Sequence, residues 1–133
     1  MQRHCENGRA IAKFLSSHPK VVNVYWPGLK THPNHNIAVK QMKDFGGMVS
    51  FTLKGNNYKD AIKILENLSI FTLAESLGGV ESLCGHPASM SHGSIPKKER
   101  EKVGVIDSLI RLSIGIESEK DLIKDLEKAL KLV

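Results

Sequence analysis

The sequence predicts an α+β fold: a small, largely antiparallel sheet with its long helices packed on one face. Three observations carry that expectation. The stretches 48–53 and 109–116 alternate apolar and polar residues with the period of two that a half-buried strand requires. The stretches 5–17, 58–67 and 118–133 repeat apolar residues at helical spacing. The strand-like stretches are short and alternate with the helical ones, an order that suits helices layered over a single sheet.

Taken in order, residues 5–17 form a helix with Ala10, Ile11, Phe14 and Leu15 on one stripe. His18-Pro19 ends it, because the residue before proline is pushed out of the helical region. Val21, Val22 and Val24 form a short strand stopped by Pro27-Gly28. Residues 30–35 are a loop, followed by a short helix over 36–43 to which Ile37, Ala38 and Met42 contribute the apolar side. Gly46-Gly47 breaks it, and in strand 48–53 Val49, Phe51 and Leu53 face one way. After a turn at 54–57, the helix 58–67 places Tyr58, Ala61, Ile62 and Leu65 inside. A strand at 70–73 leads into the polar, glycine-bearing turn 75–82. Residues 83–94 show no clean period and read as an ordered loop. Pro96 suits the first position of a short helix reaching Val103. Strand 109–116 follows, and Ser118 with Asp121 resembles a capping box for the last helix. That helix buries Leu122, Ile123, Leu126, Ala129, Leu130 and Val133, and Glu127–Lys131 adds an i,i+4 pair.

A chain of 133 residues is long enough for one domain, 1–133, with one real core. Its 41% hydrophobic and 25% charged content are those of a globular protein. No apolar run approaches the roughly 20 residues of a membrane helix. The first residues, Met1 to Asn7, lack an apolar signal core, so a cytoplasmic location and no membrane partner are expected. The two cysteines, Cys5 and Cys84, lie far apart and suggest no disulfide framework, and nothing around Cys84 marks a nucleophile. His32 and His35 have no further ligands at suitable spacing, so no metal is expected. The net charge of +5 raises the question of nucleic acid, but the lysines alternate with acids and the only sharp cluster, 97–102, is mixed in sign. Aromatic residues, 5% of the chain, do not interleave with the basic ones, so a solvated basic surface is expected and no nucleic-acid partner.

The candidate site lies where strand 109–116 meets the turn 75–82. With Ile110, Leu112, Ile114 and Ile116 on one face, the other carries Leu109, Arg111, Ser113 and Gly115. A guanidinium on a rigid strand, beside a glycine turn with free backbone N–H groups, suits an anionic ligand such as a carboxylate. On pattern alone, a surface arginine beside an ordinary turn stands as the alternative.

The second half closely resembles the C-terminal domain of the Cys/Met-metabolism family of pyridoxal-phosphate enzymes, of cystathionine γ-synthase and γ-lyase type. The strings GGMVSF at 46–51, LAESLGGVESL at 73–83, HPASMSH at 86–92, IPKKER at 95–100 and LIRLSIGIE at 109–117 carry it, in order. DLIKDLEKAL at 121–130, HPKV and YWPGLKTHP extend it to nearly the whole chain. The resemblance implies the small domain of a fold-type I pyridoxal-phosphate transferase. It implies that Arg111 binds the substrate α-carboxylate, that Ser76 lies beside cofactor lysine and substrate, and that Glu75 stands where substrate preference is set. A glutamate there resembles the γ-synthase and γ-lyase rather than methionine γ-lyase or β-lyase, and a carboxylate can pair with the distal ammonium of cystathionine. Ser91 lies where the family more often has threonine.

Family members are roughly three times as long, and their large domain carries the Schiff-base lysine, the stacking aromatic and the phosphate-binding residues. Those motifs are absent from this sequence, so no catalytic residue is assigned and the segment alone is expected to be inactive. The resemblance implies pyridoxal 5'-phosphate as cofactor, an amino-acid substrate such as cystathionine or an activated homoserine ester, and a homotetrameric parent. A free-standing amino-acid-binding regulatory module is the reading from another class, and a basic nucleic-acid module a third.

Overall fold

A computed structural model describes residues 1–133. In chain order the elements are helix α1 (Gln2–Ser17), strand β1 (Val21–Tyr25), helix α2 (His35–Gln41), strand β2 (Met48–Leu53) and helix α3 (Tyr58–Asn67). They continue with strands β3 (Thr72–Leu73) and β4 (Leu83–Gly85), helix α4 (Lys97–Lys102), strand β5 (Leu109–Ser113) and helix α5 (Glu119–Leu130). The strands form one five-stranded sheet in the order β1-β2-β5-β4-β3. Every pairing is antiparallel except β3 with β4. The α+β expectation, with its largely antiparallel sheet, holds.

The core follows from the alternation. Val49, Phe51 and Leu53 of β2, with Ile110 and Leu112 of β5 and Ile114 just beyond it, point toward the helices. Ile11, Ala12 and Leu15 of α1, Ala61, Ile64 and Leu65 of α3, and Leu122, Leu126, Ala129 and Leu130 of α5 close over them. Asp125, on the buried side of α5, is 6% exposed. Its carboxylate accepts the Ser69 and Ile70 amides at 2.8–3.1 Å, so it satisfies the backbone leaving α3.

Several local expectations are corrected. The buried stripe of α3 is rotated: Ile64 is buried, whereas Tyr58 is exposed and Ile62 half-buried. Tyr58 instead sets its ring edge-on to His86, centroids 5.1 Å apart. In α2 only Ala38 is buried, and Ile37 and Met42 face outward. Ser118 occupies the N-cap of α5, but its side chain makes no capping bond, so the capping box does not form. Pro96 is the N-cap of α4, in extended conformation, and Lys97 is the first helical residue. The ordered loop at 83–94 begins with β4, which is buried at all three positions and so shows no alternation. Regular strand structure covers only Thr72–Leu73 of 70–73 and Leu109–Ser113 of 109–116.

The second face of the sheet is half covered. Leu109 packs there against Ala88 and Val105, with Ile106 beside them, so the segment between β4 and β5 folds back over part of it. That segment is pinned by a clamp at its end. Arg100, 8% exposed, donates to the Val105 carbonyl at 2.8 Å and to the Asp107 carboxylate, which Lys97 also engages. The mixed cluster 97–102 was expected to be solvated; Arg100 is the exception, buried through its pairing with Asp107.

Helix α1 meets the turn that leads into β2 through a close backbone approach. A Cβ on Gly8 would lie 2.5 Å from the Gly46 carbonyl oxygen. Gly→Ala inside a helix ordinarily stabilises by about 1 kcal/mol. Gly8→Ala is expected instead to destabilise by about 1–3 kcal/mol, the cost of overpacking a fitted contact, in equilibrium urea unfolding. A gain in stability would show that α1 does not dock this way.

Candidate functional site

Register places Arg111 at the centre of the second face. It lies opposite Ser50 on β2 and opposite Gly85 on β4. Both neighbours are small, so the guanidinium stands over a low floor. Arg111 is half-buried, and its Nη2 donates to the Ser76 carbonyl oxygen at 3.4 Å. No Asp or Glu oxygen forms an ion pair with it. A partly desolvated guanidinium without a carboxylate retains most of its donors for an external anion.

The cleft above Arg111 is bounded by Glu75, Gly85, His86, Met90 and Ser91 among others. Glu75 is exposed and likewise unpaired. The hollow encloses only about 10 Å³, roughly the room of one water. These residues therefore form an open surface hollow, not a closed pocket. The roomiest hollow, about 610 Å³, lies between Met1, Cys5 and Met42 and contains none of the expected site residues. The chemistry points to the smaller one.

Of the three residues singled out from the sequence, the structure brings Arg111 and Glu75 to the same cleft. Ser76 meets Arg111 only through its main-chain oxygen. Its hydroxyl turns back to the amide and carbonyl of Gly78, both at 3.3 Å. Ser91 lines the cleft, with its Oγ 2.9 Å from His92 Nδ1.

Behind the cleft, His86 is 1% exposed and engages both ring nitrogens. Nε2 lies 2.8 Å from the Asp107 carbonyl oxygen, which can only accept, so Nε2 carries the proton. Nδ1 then accepts from the Ser89 hydroxyl at 2.8 Å. The His86 amide meets Met90 Sδ at 3.2 Å. This turn carries Met90 and Ser91 to the cleft, and the Lys97–Asp107–Arg100 clamp supports it from below.

Sequence reasoning missed the seam that ties down the loop bearing Glu75 and Ser76. Ser82, wholly buried, donates from its amide to Glu117 Oε1 at 2.6 Å and from Oγ to Oε2 at 2.8 Å. The same Oγ accepts the Gly115 amide at 2.8 Å. Both residues fall inside motif strings, but nothing in their spacing of 35 positions signals that they meet.

The profile of the family described as Cys/Met metabolism PLP-dependent enzyme matches residues 1–131. The chain belongs to that family. It is 58% identical over 130 residues to a cystathionine beta-lyase of Coxiella burnetii, covering 98% of this chain and 33% of that protein. It is 52% identical over 131 residues to the cystathionine gamma-lyase of Bos taurus, covering 98% of this chain and 32% of the relative. An L-methionine gamma-lyase of Fusobacterium nucleatum subsp. polymorphum is 51% identical over 133 residues, covering 100% of this chain and 33% of the relative. A crystal structure of cystathionine gamma synthase from Xanthomonas oryzae pv. oryzae, in complex with aminoacrylate and cysteine, superposes with a TM-score of 0.92 at 50% identity. That match covers 98% of this chain and 34% of the other. The chain thus spans about a third of the length of the relatives it matches.

The family is dependent on pyridoxal phosphate. The residues around Arg111 do not by themselves make a seat for that group: no lysine lines the cleft, and its volume is about that of one water. No helix is long and apolar enough to cross a membrane. No group of three or more His, Cys, Asp or Glu side chains is placed to hold a metal ion.

Two tests concern the groups around the site. Burial, with the nearby Asp125 charge, pushes the Cys84 thiol up to about 12. Cys84 is expected to resist alkylation by iodoacetamide at pH 8 until the protein is unfolded; rapid labelling of Cys84 in the native protein, read by peptide mass and separately from Cys5, would contradict its placement. Hydrogen bonds from Lys97 and Arg100 hold the Asp107 carboxyl below the usual carboxylate range. A lowered carboxyl stabilises the fold above its unfolded value, about 3.9, and loses that contribution as pH falls through the folded value. Wild type is therefore expected to exceed Asp107→Asn in urea midpoint near pH 7, with the gap closing below about pH 4. A gap independent of pH would refute the clamp.

Proposed function

We propose that this chain is the substrate-binding domain of a larger pyridoxal-phosphate enzyme of sulfur amino-acid metabolism, of cystathionine γ-synthase or γ-lyase type. The observation that carries the reading is Arg111: a half-buried guanidinium without an acidic partner, centred on the sheet face that the helices leave free. In this reading Arg111 grips the α-carboxylate of the substrate through a charge-assisted pair. Glu75, unpaired in the same cleft, receives a distal ammonium such as that of cystathionine. An activated homoserine ester would engage Arg111 in the same manner. Ser76 stands between them and adds its carbonyl to the guanidinium.

Fixing the carboxylate limits rotation of the substrate and so aims its α C–H, which is the positioning contribution to catalysis. Pyridoxal phosphate, held by the rest of the protein, would supply the electron-withdrawing chemistry. Because the cleft is an open hollow, the opposite wall belongs to that remainder, and this segment alone is inactive. Assembly of the parent as a homotetramer in the cytoplasm completes the proposal. The similar proteins carry β-lyase, γ-lyase, methionine γ-lyase and γ-synthase names at comparable identity, so likeness does not rank these activities. Glu75 supports a substrate with a second ammonium.

In the full-length protein, Arg111→Ala is expected to lower kcat/KM for amino-acid substrates by about 10²-fold or more, with Arg111→Lys recovering part of the loss. An unchanged kcat/KM in Arg111→Ala would remove the basis of the proposal.

A further inference from the structure

We propose that Glu117 and Ser82 form a positioning latch: they fix the loop that carries Glu75 and Ser76 relative to Arg111 and thereby set discrimination between amino-acid substrates. Neither residue lines the cleft. The inference rests on the roles proposed for Arg111 and Glu75.

The loop needs such a device. Between β3 and β4 its apolar residues do not anchor it, since Leu77 and Val80 are 72% and 66% exposed. Its internal side-chain bonds, from Ser76 to Gly78, are long at 3.3 Å. At its end the situation reverses. Ser82 makes two bonds to one carboxylate, its amide at 2.6 Å and its hydroxyl at 2.8 Å, both shorter than the loop's own bonds and both to a charged acceptor. The same hydroxyl takes the Gly115 amide, and the Ile116 amide donates to Val80 O at 3.0 Å. A Cβ on Gly115 would lie 2.5 Å from Val80 O, so the loop and the backbone just after β5 are in direct contact.

The far side of the latch is held as well. Asn7 of α1 donates from Nδ2 to the carbonyls of Gly115 and Glu117, both at 2.9 Å. The segment that presents Arg111 thus also holds, through Glu117, the loop that presents Glu75. Ala74 stays bonded to the Cys84 carbonyl at 3.0 Å, so release of Ser82 loosens the loop beyond it and shifts the Glu75 side chain relative to Arg111, which keeps its place on the strand.

The test uses the full-length protein and two amino-acid substrates of like length, one with a distal ammonium and one without. Ser82→Ala is expected to lower the ratio of their kcat/KM values about fivefold or more, and Ser82→Thr, which keeps the hydroxyl, to restore it to within about twofold. Glu117→Gln, which removes the charge from the other partner, lowers the ratio in the same direction. Hydrogen exchange at the Ile116 amide accelerates in Ser82→Ala and recovers in Ser82→Thr. A merely structural role would lower both substrates together and leave the ratio unmoved, which overturns the latch. If Arg111→Ala lowers both substrates and Ser82→Ala leaves the ratio unmoved, the latch alone fails. If Arg111→Ala lowers neither, the amino-acid reading fails and the latch falls with it.

Discussion

Strand β5 is bonded on both edges, to β2 on one side and β4 on the other, and most of the molecule depends on that double pairing. A one-residue slip would turn Ile110 and Leu112 out of the core and drive Arg111 into it. Burial of those apolar side chains on one face therefore fixes the guanidinium on the other. The same residues that stabilise the sheet decide where the charge stands. Ser50 and Gly85, directly opposite Arg111, complete the arrangement by leaving space above it.

The helical layer and the polar layer have different characters. Under α1, α3 and α5 the contacts are apolar and nearly free of polar groups, with Asp125 an exception that serves backbone amides. Over the other face the chain is held by directed bonds: Arg100 to Asp107, His86 to Ser89 and the Asp107 carbonyl, Ser82 to Glu117. Directed bonds fix distances more narrowly than apolar contacts do, because they weaken steeply with angle and length. The face proposed to present Arg111 and Glu75 to a substrate is thus the one held by directed bonds.

What the sequence made legible follows from this division. The strands β2 and β5 are readable because their two faces differ in polarity, and α1 and α5 because their stripes are long. Strand β4 is not readable, since Leu83, Cys84 and Gly85 are all buried and three residues hold no period. The sequence pattern puts the stripe of α3 out of step because Tyr58 counts as apolar, yet its hydroxyl-bearing ring stays exposed, edge-on to the buried His86. Ser118 has the right residue type for a cap but not the side-chain bond. In the candidate site, the alternation marks Arg111 and the motif strings mark Glu75, and the structure brings the two to one cleft. Ser82, Glu117 and Asp107 were not, because each acts through a partner distant in sequence or through a backbone group, and neither leaves a mark in local pattern.

Helix α1 and the end of the sheet are joined across nearly the full chain. His4 Nδ1 lies 2.7 Å from the Ile114 carbonyl, a separation of 110 residues, and Asn7 bonds Gly115 and Glu117 close by. Contacts of such range are formed late, since closing the intervening chain costs entropy before any bond is gained. On the ribosome, at about 5–20 residues per second, His4 and Asn7 of α1 would wait roughly 5–20 s for the carbonyls beyond β5 that they engage. Its apolar stripe, Ile11, Ala12 and Leu15, has no complete core to enter during that interval. The stripe of α1 is thus fully covered only after α5, the last helix of this segment, has been made.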